Sequence, residues 1–200
     1  MSYELLRLVH TIGLVLIGAG LVGVFMMDLR SRQLPELPQF AEAVRAIAVF
    51  YDGLVVPGAI LLAVSGTALI AGYHGGWAFL GQPWLAGMVA LFVFEFVEGN
   101  TVTRLYFLRM RRLTRQALAQ GRVTAELERA RGERVPTFTH FLDLPILFLI
   151  VALGVTRPTD WTMFFAGSAV ALTAAALLTA ALPRLYPWAP AGRGGKVGAA

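Results

Sequence analysis

The chain has 200 residues, of which 57% are apolar and only 14% charged, with a mean hydropathy of +0.67. A water-soluble domain carries about 25% charged residues, so this composition excludes one and indicates an integral membrane protein. The net charge is +5 with a pI near 10.2, and there is no cysteine, which excludes disulfides, covalent c-type haem, thiolate-ligated iron–sulfur clusters and a thiol nucleophile.

A helix needs about 20 apolar residues to cross the hydrocarbon layer. Residues 8–27 are free of charge and end at Asp28 and Arg30, giving span one. The run is too long for a signal-peptide core and no small-residue cleavage site follows it, so it reads as an uncleaved span. Within it, Gly18-Ala19-Gly20-Leu21-Val22-Gly23 matches a dinucleotide-binding fingerprint by letter, but that motif needs a strand before it and a helix opening after it. Here the glycines read as helix-packing positions, and Ala19 with Gly23 and Ala59 with Ala63 have small-xxx-small spacing.

Between Asp52 and Glu95 lie 42 residues without Asp, Glu, Lys or Arg. That is twice a span, and Gly72, Gly75, Gly76, Gly81 and Pro83 break it into spans two (46–72) and three (84–106). Trp77 and Trp84 flank the break, at the headgroup level indoles prefer. Residues 105–120 continue in helical register and Gly121 can stop them as a cap, within a basic segment at about 107–136. For span four only 144–156 is charge-free, and those 13 residues are too few to cross. The span therefore takes in residues 137–143 and carries His140 and Asp143 into the bilayer. Residues 161–183 form span five. The bundle domain is expected over 1–187 and a disordered tail over 188–200, which is rich in Gly and Ala.

Positive charge gathers on cytoplasmic loops. Arg30, Arg32 and Arg45 follow span one, nine arginines lie between 104 and 134, and Arg184, Arg193 and Lys196 follow span five; only Arg7 and Arg157 fall on the other side. The expected fold is therefore all-α, a five-helix transmembrane bundle with its N-terminus out and C-terminus in, a multi-pass protein of a cell inner membrane. The arginines read as a collar against anionic lipid headgroups rather than a nucleic-acid surface.

Ionisable groups at bilayer depth are costly and face the bundle interior. A rise of 1.5 Å per residue sets Asp52, Glu98 and Asp143 each about 9 Å inside the basic boundary. Glu95 lies a turn deeper on the face of Glu98, and His140 a turn shallower on the face of Asp143. Four acids at close range cannot all stay ionised in low dielectric without a cation or shared protons. Asp52, Glu95, Glu98, His140 and Asp143 are thus the candidate ligands of a divalent metal, and the same set could pass protons or cations. Pro57 and Pro145 each free a backbone carbonyl beside this layer, and Asn100 is near it. The alternative is that Arg104 and these acids pair between helices as packing contacts. Near the opposite surface are His10, one turn inside, and His74, at the end of span two. A neutral imidazole there can be an axial ligand of haem b, which makes His10 the cofactor candidate; His140 is about 20 Å away in depth and cannot share that haem.

Leu5-Leu6-Arg7-Leu8-Val9-His10, Asp52-Gly53-Leu54-Val55-Val56-Pro57-Gly58, Ser65-Gly66-Thr67 and Pro83-Trp84-Leu85-Ala86-Gly87 carry a resemblance. Over about residues 5–157 the chain resembles a bacterial family of predicted integral membrane proteins defined as a domain of unknown function, which implies the multi-span fold and no particular activity. More remotely, a histidine early in span one is similar to HemJ-type protoporphyrinogen oxidases and copper resistance D-like membrane proteins, and only His10 carries over. The HemJ-type pattern also uses an intramembrane lysine, whereas the one lysine here is Lys196. Three functions stay open: cation or proton handling by the acidic and histidine cluster, a haem b redox protein using His10, and a structural subunit with a membrane-protein partner or a second copy of itself.

Overall fold

The computed structural model describes residues 2–189, and every regular element among them is helical. The elements are α1 (Tyr3–Arg32), α2 (Leu37–Tyr73), α3 (Pro83–Gln120), α4 (Ala125–Arg131), α5 (Arg134–Thr156) and α6 (Thr162–Leu185). All but α4 are long and apolar enough to cross a membrane, giving the five expected spans. Capping chemistry sets several ends. The Ser2 hydroxyl accepts from the Leu5 N–H at the start of α1, and Thr124 does the same for Leu127 in α4. Gly121 takes φ of +65° and stops α3 as expected. Gly75 and Gly76, at φ of +70° and +57°, turn the chain from α2 towards α3. Before α6, Asp160 accepts from the Thr162 N–H, and that bond holds its carboxyl below the usual range.

At 37 and 38 residues, α2 and α3 exceed what one crossing needs. The surplus, residues 37–50 and 104–120, packs with α4 at the arginine-rich end. Phe40, Val44 and Ile47 of α2 meet Tyr106, Phe107, Met110, Leu113 and Ala117 of α3, with Leu127 and Ala130 of α4 closing the layer. Spacings of three and four residues along α3 bury one stripe and leave Arg109, Arg112 and Arg115 exposed. The basic segment at 107–136 is therefore mostly helix rather than open loop.

α1 lies along α2 through a glycine seam. A Cβ on Gly58 would fall 2.8 Å from the Gly13 carbonyl oxygen, and one on Gly23 would enter the Phe50 ring. Of the small residues expected at contacts, Gly23 joins this seam; Gly13, Gly20 and Gly58 supply the rest, and Ala59 lines a cavity beside it. α5 is the central helix, with Leu142, Ile146, Leu149 and Leu153 packed against Leu91 of α3 and Ala171 and Ala175 of α6.

Beyond α6 the chain returns to the arginine-rich end. Trp188 donates from its indole N–H to the Arg131 carbonyl at 3.1 Å, and the Ala189 N–H donates to the Arg32 carbonyl at 2.7 Å. The Arg32 guanidinium lies 4.7 Å from the Trp188 ring centre and the Arg131 guanidinium 3.9 Å from that of Phe40. Trp188 and Ala189 thus belong to the packed structure, two residues into the expected tail; residues 190–200 lie outside the described residues.

Candidate functional site

The site is built by two irregular turns. Pro57 has no N–H and its ring crowds the carbonyl one turn back. Over Tyr51–Val55, just before it, α2 widens, so that the Val56 N–H bonds to the Tyr51 carbonyl five residues earlier. α3 widens likewise over Gly99–Thr103, with the Arg104 N–H on the Gly99 carbonyl. There Gly99 and Asn100 precede the β-branched run Thr101, Val102 and Thr103, all poor helix formers. The two turns are joined: the Tyr51 hydroxyl donates to that same Gly99 carbonyl at 2.7 Å.

The widening decides which side chains meet. In a regular α-helix, residues five apart sit about 140° round from one another. A turn closed by five-residue bonds brings them towards one face instead, and Thr103 donates to Glu98 Oε1 at 2.9 Å. Thr103 also lies 3.2 Å from the Thr139 hydroxyl of α5, fastening α3 to the central helix.

Three carboxylates converge here. One ligand oxygen each from Glu95, Glu98 and Asp143 fall within 4.8 Å of one another. Glu98 is 8% exposed and Asp143 4%, and Glu95 Oε1 and Glu98 Oε2 are buried without a hydrogen-bond partner among the described residues. His140, one turn from Asp143, is 4% exposed, and neither ring nitrogen has a hydrogen-bond partner among the described residues. Its Nδ1 lies 3.7 Å from Asp143 Oδ2, beyond a hydrogen bond, and its ring is packed among Phe25, Phe107 and Phe141. Asp52 does not join the cluster. It is half-exposed and pairs with Arg104 at 3.2 Å, because the widened turn that carries it leaves its carboxylate on the outer surface of the bundle.

Beside the carboxylates is a cavity of about 170 Å³, bounded by Tyr51, Glu95, Asn100 and Asp143 at its polar end and by apolar side chains elsewhere. Asn100 also spends its amide on the Phe96 carbonyl at 2.7 Å.

The family model described as Predicted integral membrane protein (DUF2269) matches residues 4–158. The chain belongs to that family. In this DUF2269 protein the match takes in α1 to α5, and with them both widened turns and every member of the cluster, while α6 lies beyond it. No curated protein and no solved structure matches the chain, so the expected likeness to HemJ-type oxidases and copper resistance D-like proteins rests on His10 alone.

His10 sits in α1 beside α2. Its Nδ1 is 3.0 Å from the Ser65 hydroxyl, which itself donates to the Leu61 carbonyl at 2.5 Å. With its one proton so used, Ser65 can only accept, so Nδ1 carries the imidazole proton and Nε2 the lone pair. His74 has other company, its ring edge-on to Trp84 at 5.9 Å.

Two features of the site escape sequence reasoning. Tyr51 sits in an apolar run like any interfacial tyrosine, and only the widened turns reveal its target. Asp28 and Arg32 form a buried pair at 3.0 Å, each nearly inaccessible; their i,i+4 spacing was a visible signal, but position alone reads as the charged end of a span. Arg32 is consequently not available to a lipid headgroup.

Proposed function

We propose that this DUF2269 protein holds a hard divalent cation within the membrane, on Glu95, Glu98 and Asp143, and that cation handling is its activity. The observation that carries this is the convergence of three carboxylate oxygens within 4.8 Å. Oxygens on one ion are at most twice the metal–oxygen bond apart, about 4.0 to 4.8 Å for bonds of about 2.0 to 2.4 Å. The separations do not exceed the upper end of that range, so a smaller ion such as Mg²⁺ or Mn²⁺ needs at most a modest inward shift of the side chains. All-oxygen donors suit such ions rather than a soft metal.

The buried polar atoms without partners support the same reading. Glu95 Oε1 and Glu98 Oε2 would otherwise remain desolvated at a cost of about 1–3 kcal/mol each. A dication offsets two of the three carboxylate charges, and a proton shared within the cluster offsets the third. In this reading His140 is a packed neighbour of Asp143 rather than a direct ligand. We further propose that the protein lies in a bacterial inner membrane with the arginine-rich end cytoplasmic and in contact with anionic headgroups.

The test is Mn²⁺ binding by the detergent-purified protein, read from the loss of the free-ion electron paramagnetic resonance signal. Saturable binding is expected, and Glu98→Gln should weaken it at least tenfold while yielding as much folded protein as the parent. Absence of binding, or equal binding by the variant, would overturn the proposal; equal loss of folded protein in Glu98→Gln and Asp143→Asn would make the cluster a packing device instead.

A further inference from the structure

The cavity beside the carboxylates has a composition the cation reading does not use. Tyr51, Phe92 and Phe96 bring three aromatic rings to its wall, Glu95 and Asp143 bring two carboxyls, and Ala59 forms part of its apolar floor. Aromatic faces attract cations, and do so most when the cation is desolvated; rings combined with acids form the environment in which alkylated ammonium groups are bound. A wall meant only for hydrocarbon has no use for two carboxyls, and a wall meant only for a hydrated metal has no use for three rings. Ile60 and Phe96 line the cavity and are also exposed on the outside of the bundle, at 54% and 45%, so it is reached from the lipid. Its volume of about 170 Å³ compares with the 150 Å³ or so that accommodates one benzene ring.

We propose that this cavity binds a small lipophilic organic cation entering from the bilayer, a single ring or branched alkyl group bearing one ammonium. Its apolar body fills the space between α1, α2 and α5, and its charge lies between the rings and the Glu95 and Asp143 carboxyls. The inference rests in part on the metal reading, because Glu95 and Asp143 serve both ligands, and the two cations therefore exclude each other. The residues outside that overlap separate them: Glu98 belongs to the metal cluster but does not line the cavity, and Ala59 lines the cavity but is not in the cluster.

The experiment is calorimetric titration of the purified protein with benzyltrimethylammonium, a permanent cation, against neopentylbenzene, its neutral isostere. Saturable binding of the cation and at least tenfold weaker binding of the isostere are expected, with added Mn²⁺ reducing the cation's apparent affinity. Ala59→Leu, or separately Ile150→Phe, fills the cavity and should abolish benzyltrimethylammonium binding while Mn²⁺ binding persists; Glu98→Gln should do the reverse. No binding of the cation, equal binding of the isostere, or full binding by both filled variants would overturn the proposal. If the organic cation binds and Mn²⁺ does not, the metal reading fails and this one stands without its competition.

Discussion

The Tyr51 hydroxyl and the hydrogen on Gly99 Cα occupy one small space. A Cβ at residue 99 would lie 2.9 Å from that oxygen, so Gly99→Ala forces the ring away and breaks the 2.7 Å bond to the Gly99 carbonyl. Leaving the buried Tyr51 hydroxyl without its acceptor costs about 1–3 kcal/mol, which outweighs the gain of up to about 1 kcal/mol from glycine to alanine inside a helix. Tyr51→Phe removes the hydroxyl and with it the obstacle. Gly99→Ala should therefore lower the unfolding midpoint in detergent in the parent, and leave it unchanged or raise it in the Tyr51→Phe background. Additive effects of the two substitutions would show that the hydroxyl and the glycine do not share a constraint. The acids of the cluster were legible as residues, since charges inside an apolar span are conspicuous. Which of them met was not: Asp52 has the same depth as Glu98 and Asp143 in a count of helical rise, and a turn of unusual width sends it elsewhere.

For the elements, the glycine seam is the sharpest constraint. Gly58 has the Gly13 carbonyl oxygen 2.8 Å and the Ile17 nitrogen 2.9 Å from where its Cβ would be, and backbone atoms cannot step aside as a side chain end can. A Cβ on Gly53, in the widened turn before it, would meet nothing within 4 Å among the described residues. Gly58→Ala should destabilise the bundle by about 2 kcal/mol through overpacking, and Gly53→Ala should be neutral or mildly stabilising, both read from unfolding in detergent. Matching losses at the two positions would mean that α1 and α2 do not depend on this approach. Helix existence was legible from the apolar runs and the breaker residues, with ends such as Gly121 right to the residue. The extra length of α2 was not, because residues 37–45 mix Pro, Glu, Gln and Arg with apolar residues and become a helix by packing Phe40 and Val44 onto α3.

Across the whole molecule, charge is the coordinate that orders the bundle. Exposed arginines such as Arg112, Arg115, Arg122 and Arg129 ring one end, and the opposite turn at residues 74–82 has no charge at all. In the proposed orientation that turn faces away from the cytoplasm. The absence of cysteine lets single cysteines report it: in intact cells a membrane-impermeant maleimide should label Ala78→Cys, and should reach Ala125→Cys only after permeabilisation. The opposite pattern would invert the bundle. The five spans follow from composition alone, but the closure at the arginine-rich end does not, since it pairs residues from opposite ends of the described chain. Arg32 is buried early in the sequence, yet Trp188 covers it and Ala189 bonds to its carbonyl. During synthesis, α1 to α5 can therefore assemble into the whole carboxylate cluster while the arginine-rich end still stands open, and that end shuts only after residue 189 has left the ribosome.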